Sequence, residues 1–70
     1  MSRKHFQAIA ASLAAIRPKL SDFGPAYENE YECQLGQWRA DVMAMVAVCR
    51  QFNSNFNQSR FLEACNYENV

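Results

Sequence analysis

No stretch of this 70-residue chain approaches the roughly eighteen consecutive apolar residues that a membrane-spanning helix requires, so a helical membrane span is excluded. The basic start Ser2-Arg3-Lys4 is not followed by the apolar run of a signal peptide, which points to a soluble, cytoplasmic protein. Glycine is nearly absent: Gly24 and Gly36 are the only two, too few for a phosphate-cradling loop. Net charge is also missing. Seven basic and seven acidic residues cancel, which disfavours general attraction to nucleic acid or anionic lipid. The three cysteines, Cys33, Cys49 and Cys65, are odd in number and sixteen residues apart, unlike the dense, even framework of a small secreted domain. Reduced thiols are the expectation, with Cys49 and Cys65 as small core residues and Cys33 partly exposed.

Chemistry-bearing clusters are equally scarce. Structural zinc sites bring ligands in close pairs, and neither the cysteines nor His5 has such a neighbour, so no metal or cofactor is expected. His5 lies beside Arg3 and Lys4 with no carboxylate nearby to orient it, the setting of a solvated terminal histidine. The chain therefore reads as non-enzymatic.

What is present is apolar and aromatic: half of the residues are hydrophobic, with five Phe, three Tyr and one Trp, enough for a core in a domain whose small size leaves a thin margin of stability. Phe6, Ile9, Ala10, Leu13 and Ile16 form one helical stripe after a Ser2 cap, and Pro18 ends it, giving a first helix over about 3–17. A linker over 18–25 closes with Gly24-Pro25, where proline suits the first position of a helix. Tyr31, Leu35, Trp38, Val42, Met45, Cys49 and Phe52 then alternate steps of four and three, predicting a second helix over about 26–51, some 39 Å long. Gly36 is its weak point, so continuity there is left open and the firm part is 37–51. A third helix over about 58–65 is marked at both ends: Asn57 as cap, Phe56 and Phe61 as a hydrophobic staple, Asn66 as a left-handed closing residue. Residues 67–70 are expected to fray.

The predicted fold is an all-α three-helix bundle forming one domain over 1–70, with the two short helices end to end along the long one. Its expected core is Phe6, Ile9, Leu13, Trp38, Val42, Met45, Cys49, Phe52, Phe56, Phe61 and Leu62. Self-association along the second helix is the competing way to cover its seam, and makes a structural oligomer one reading of the chain.

Two surfaces compete as binding sites. Asp22, Glu28, Glu30 and Glu32 are interleaved with Phe23, Tyr27 and Tyr31 without one basic residue, a composition suited to a protein partner with a basic surface. The plainer alternative is that the tyrosines continue the seam and the glutamates face water. Gln58, Ser59 and Arg60 open the third helix as base-reading residue types open a helix-turn-helix recognition helix, but only Arg50 and Arg60 itself are available there to meet phosphates. A DNA-binding regulator is thus the second choice.

The C-terminal pattern, Trp38 followed by Asn53, Phe56, Arg60, Phe61, Leu62, Ala64 and Cys65, resembles an Asn-Pro-x-Phe-x-x-x-Arg-Phe-Leu-x-Ala-Cys-Gly ending of short uncharacterised proteins of tailed bacteriophages and prophages. Phe6, Ile9, Ala10, Leu13 and Arg17-Pro18 also look alike. Ser54 replaces the usual proline, Asn66 the usual glycine, and residues 20–35 have no counterpart. The resemblance carries no activity. It implies a phage accessory protein working in a bacterial cytoplasm by protein binding, with a host or anti-phage defence complex as the target class.

Overall fold

The computed structural model describes residues 2–68, and it is a small all-α bundle of three helices: α1 (Arg3–Ala15), α2 (Glu28–Phe52) and α3 (Gln58–Ala64). α1 starts at Ser2, whose backbone N–H donates to His5 Nδ1 at 3.0 Å. His5 is thus occupied in closing the first turn of its own helix, a structural task that its sequence position did not signal. The helix stops at Ala15, two residues short of the expected end. Ile16, the last member of the apolar stripe, lies beyond it and is largely exposed. Pro18 accounts for the stop, because the residue before a proline avoids the helical conformation.

The linker folds into two 3-10 turns, Leu20–Asp22 and Pro25–Tyr27. Pro25 opens the second of these, closed by the Tyr27 N–H donating to the Gly24 carbonyl at 2.9 Å, so α2 itself begins at Glu28 and not at Ala26. From there α2 runs through Gly36 without a break to Phe52, about 37 Å at 1.5 Å per residue. The glycine costs about 1 kcal/mol, and the good helix formers around it, Glu32, Gln34, Leu35, Gln37, Arg39 and Ala40, carry the helix across.

The two short helices do not lie end to end. Phe6, early in α1, meets Phe56 beside the end of α2 with ring centroids 5.1 Å apart, while Leu13, late in α1, accepts a hydrogen bond from Trp38 Nε1 at 2.9 Å. α1 is therefore antiparallel to α2. α3 starts next to the C-terminus of α2, and Tyr67 just beyond it stacks on Trp38 at 6.1 Å, so α3 returns along the same stretch. Both helices sit side by side over residues 38–52. Connection lengths explain the difference: residues 53–57 leave α3 no choice but to start where α2 ends, whereas residues 16–27 are long enough to bring the chain back to the far end of α2.

The core contains Ala10, Trp38, Val42, Val46, Cys49, Phe61 and Cys65, with Phe6, Ile9, Leu13, Leu35, Phe56, Leu62 and Tyr67 packed around it. Two core assignments change. Phe52 is 63% exposed, although Cys49, one turn earlier in α2, is fully buried. Val46 takes the fully buried place given to Met45, which is half-buried. A helix covered by two neighbours buries a broad stripe, wider than the narrow seam that a strict three-four alternation describes.

α3 owes its seven residues to its ends. Asn57 Oδ1 accepts the Arg60 N–H at 3.1 Å, and the Phe56 and Phe61 rings meet edge to face at 5.2 Å. At the other end Asn66 has φ of 60°, the Tyr67 N–H donates to the Leu62 carbonyl at 3.0 Å and the Asn66 N–H to Glu63 at 3.1 Å. These two bonds form a Schellman closure with asparagine in glycine's place. The turn directs Tyr67 onto Trp38, so the expected fraying does not begin at Tyr67; Asn69 and Val70 lie outside the described residues.

Candidate functional site: an acidic arm and a basic groove at opposite ends

Because α1 and α3 cover only the C-terminal part of α2, its first two turns project from the bundle with the linker folded against them. The acidic segment lies here. Asp22 ends the first 3-10 turn, Tyr27 ends the second, and Glu28, Glu30, Tyr31 and Glu32 belong to the start of α2. Phe23 and Tyr31 meet edge to face at 5.7 Å and are each half-buried, so this pair fastens the linker to the helix. Tyr27 is the aromatic left to solvent, at 58% exposure.

All four carboxylates are exposed. Glu28 and Glu32, one turn apart, share a face, whereas Glu30 lies about 200° around the helix from Glu28. The charges therefore encircle the arm instead of lining one side of it. Glu28 and Glu30 occupy the first turn of α2, where the helix dipole favours negative charge, which gives them a structural use as well.

Behind the arm, the Arg17 guanidinium lies 5.4 Å from the Trp38 ring centre and that of Arg39 5.6 Å from Tyr67. Two cations and two stacked rings thus close the bundle where the arm leaves it, and Trp38 Nε1–H satisfies the Leu13 carbonyl, which the end of α1 leaves without a helical donor. Tyr67 was missed from the sequence. The signal was there: it follows a left-handed cap residue, the position whose side chain folds back on its helix.

At the opposite end, α1, α3 and the turn between α2 and α3 form an open groove of about 580 Å³. Phe6 and Phe56 contribute apolar surface to it, and Arg3, Gln7, Asn55 and Arg60 supply charge and hydrogen-bonding groups. Of the proposed base-reading residues, Arg60 lines this groove and is exposed with Ser59, while Gln58 is half-buried. In sequence Arg60 is linked only to its neighbours in α3; the antiparallel return of α1 brings Arg3 to the same groove.

The thiols divide in the same way. Cys33 is exposed on the projecting part of α2, whereas Cys49 and Cys65 are buried. Burial pushes the Cys49 thiol above its ordinary value; the Cys65 thiol is raised by burial first and then by Cys49 beside it. Both are thereby kept as neutral thiols, the unreactive form. Among the described residues no three His, Cys, Asp or Glu side chains are grouped to hold a metal ion, and no helix is long and apolar enough to cross a membrane. Compared with protein-family models, curated proteins and solved structures, the chain matches none.

Proposed function

We propose that this chain is a non-enzymatic protein-binding module whose acidic, aromatic arm docks on a basic surface of a partner. One observation carries the reading: Asp22, Glu28, Glu30 and Glu32 are all exposed around a helix end that reaches past the bundle, with Tyr27 beside them. Carboxylates in that position steer a basic surface into contact, and a solvent-facing tyrosine supplies contact area at low entropic cost. The resemblance of the C-terminal pattern to short phage proteins suggests the setting, a phage accessory protein that inhibits a host or anti-phage defence complex.

The test is affinity capture from bacterial lysate treated with nuclease, using the tagged chain beside a Glu28→Arg, Glu30→Arg, Glu32→Arg variant. The expected result is a protein retained by the parent chain and lost by the variant. Equal retention by both removes the arm from the reading. Capture seen only from lysate in which the nuclease is omitted, and lost in an Arg60→Gln variant, replaces it with DNA binding.

A further inference from the structure

The arm and the groove are complementary, and they lie at opposite ends of one rod. The molecule measures 43 × 17 × 15 Å. Four of its seven carboxylates, Asp22, Glu28, Glu30 and Glu32, are at the arm end, and four of its seven cations, Arg3, Lys4, Arg50 and Arg60, are at the groove end. The other three cations, Arg17, Lys19 and Arg39, lie towards the arm, so the chain is neutral as a whole with a partial excess of negative charge at one end and of positive charge at the other. Its groove adds the aromatic rings of Phe6 and Phe56, against which an aromatic residue can pack, and Arg3 and Arg60, which can meet carboxylates.

We infer that the groove takes the acidic arm of a second copy of this chain, Tyr27 seating against Phe6 and Phe56 while Glu28 and its neighbours face Arg3 and Arg60. The inference rests on the arm being a docking segment, as proposed above, but concerns a different surface as its receiver. The contact is heterologous: the arm of each copy enters the groove of the next, so copies add head to tail. An occupant of this chemistry fits better than nucleic acid. The groove includes aromatic apolar surface, the chain has no net positive charge to hold a phosphate backbone, and the complementary segment is part of the same molecule. A groove of this size makes a small interface, so association is weak and governed by charge.

Sedimentation of the purified 70-residue chain over a concentration series, at low and high salt, tests this. Two variants give the decisive arms: Glu28→Gln, Glu30→Gln, Glu32→Gln neutralises the arm and keeps the groove, and Arg3→Gln, Arg60→Gln does the reverse. All five side chains are exposed, and circular dichroism verifies that both variants fold. The parent chain is expected to gain mass with concentration and to lose roughly tenfold in association constant between about 0.05 M and about 0.5 M salt. Each variant alone loses association at least as strongly. Mixed, they form a heterodimer that stops at two, because only one intact arm and one intact groove remain.

A parent chain that stays monomeric overturns the inference, as do variants that still associate or a mixture that does not pair. Binding of a short DNA duplex dependent on Arg3 and Arg60, without self-association, assigns the groove to nucleic acid instead. The Arg3→Gln, Arg60→Gln variant also separates this inference from the proposed function: it loses self-association and keeps its captured partner. If no partner is ever captured, self-association of the pure protein is read independently.

Discussion

The two halves of α2 share one helix and one apolar periodicity, yet they live in different surroundings. Trp38, Val42, Val46 and Cys49 are buried beneath α1 and α3, while Tyr31 and Leu35, on the same stripe, are half-buried and the residues between them face water. Periodicity reports which face of a helix is apolar. It does not report how far along the helix another element covers that face. Here coverage follows from the lengths of the connections, and the uncovered half carries three of the four acidic side chains of α2, Glu28, Glu30 and Glu32.

The sharpest break between the halves is in thiol chemistry. With an exposed-thiol reagent under native conditions, Cys33 reacts at once, whereas Cys49 and Cys65 react only through opening of the bundle. For a stability on the order of 5 kcal/mol that separation amounts to a few thousandfold in rate. Mass mapping of the labelled cysteines measures it, and Cys49 labelling as fast as Cys33 would erase the distinction. The same burial fixes a pH dependence. An unfolded thiol ionises near its ordinary value of 9.0, while the folded chain holds the Cys49 and Cys65 protons to higher pH. Above that value the unfolded state binds fewer protons than the folded one, so stability falls as pH rises; below it the contribution is complete. Urea midpoints at about pH 8 and about pH 10 should show the decline.

Next in size is the contrast between two aromatic truncations. Trp38→Ala removes a side chain that is 4% exposed, together with its hydrogen bond to Leu13 and its contacts with Tyr67 and Arg17. It should cost about 3–5 kcal/mol, enough to unfold a domain of this size. Tyr31→Ala, on the arm, loses the Phe23 contact and should cost only about 1 kcal/mol. Equilibrium denaturation of both variants checks the ratio. Comparable losses would mean that the linker and arm belong to the core after all.

Much of this was legible in the sequence wherever the determinants are local. The Asn57 cap, the Phe56–Phe61 staple and the left-handed Asn66 are decided within a few residues of one another, and each is present. The Trp38 anchor was also visible, as the largest side chain on a regular stripe. What escaped depends on residues far apart in the chain. The side-by-side placement of α1 and α3, the exposure of Phe52, the meeting of Arg3 and Arg60 in one groove, and the use of Tyr67 as a lid on Trp38 all require knowing where each connection delivers the next helix. The acidic segment was found by composition alone. Its projection from the bundle was not, because that follows from α1 and α3 leaving the start of α2 uncovered.

The smallest effect probes whether the two halves of α2 are also distinct energetically. Gly36 lies near their boundary, and a β-carbon added there meets nothing within 4 Å, so Gly36→Ala gains helix propensity without a clash. The intrinsic gain is about 1 kcal/mol. If the first turns of α2 fray while the bundle stays folded, most of that gain goes into holding the arm helical: far-UV helicity rises, amide exchange slows over residues 28–36, and the denaturation midpoint moves by less than half of the full amount. That is the expected result, since the arm leans on a half-buried Phe23–Tyr31 pair and the bundle on a closed core. A midpoint that shifts by the whole gain would show arm and bundle unfolding as one unit. The arm would then owe its helicity to the core it projects from, and a docking partner would meet a rigid, preformed helix end instead of one that it must first order.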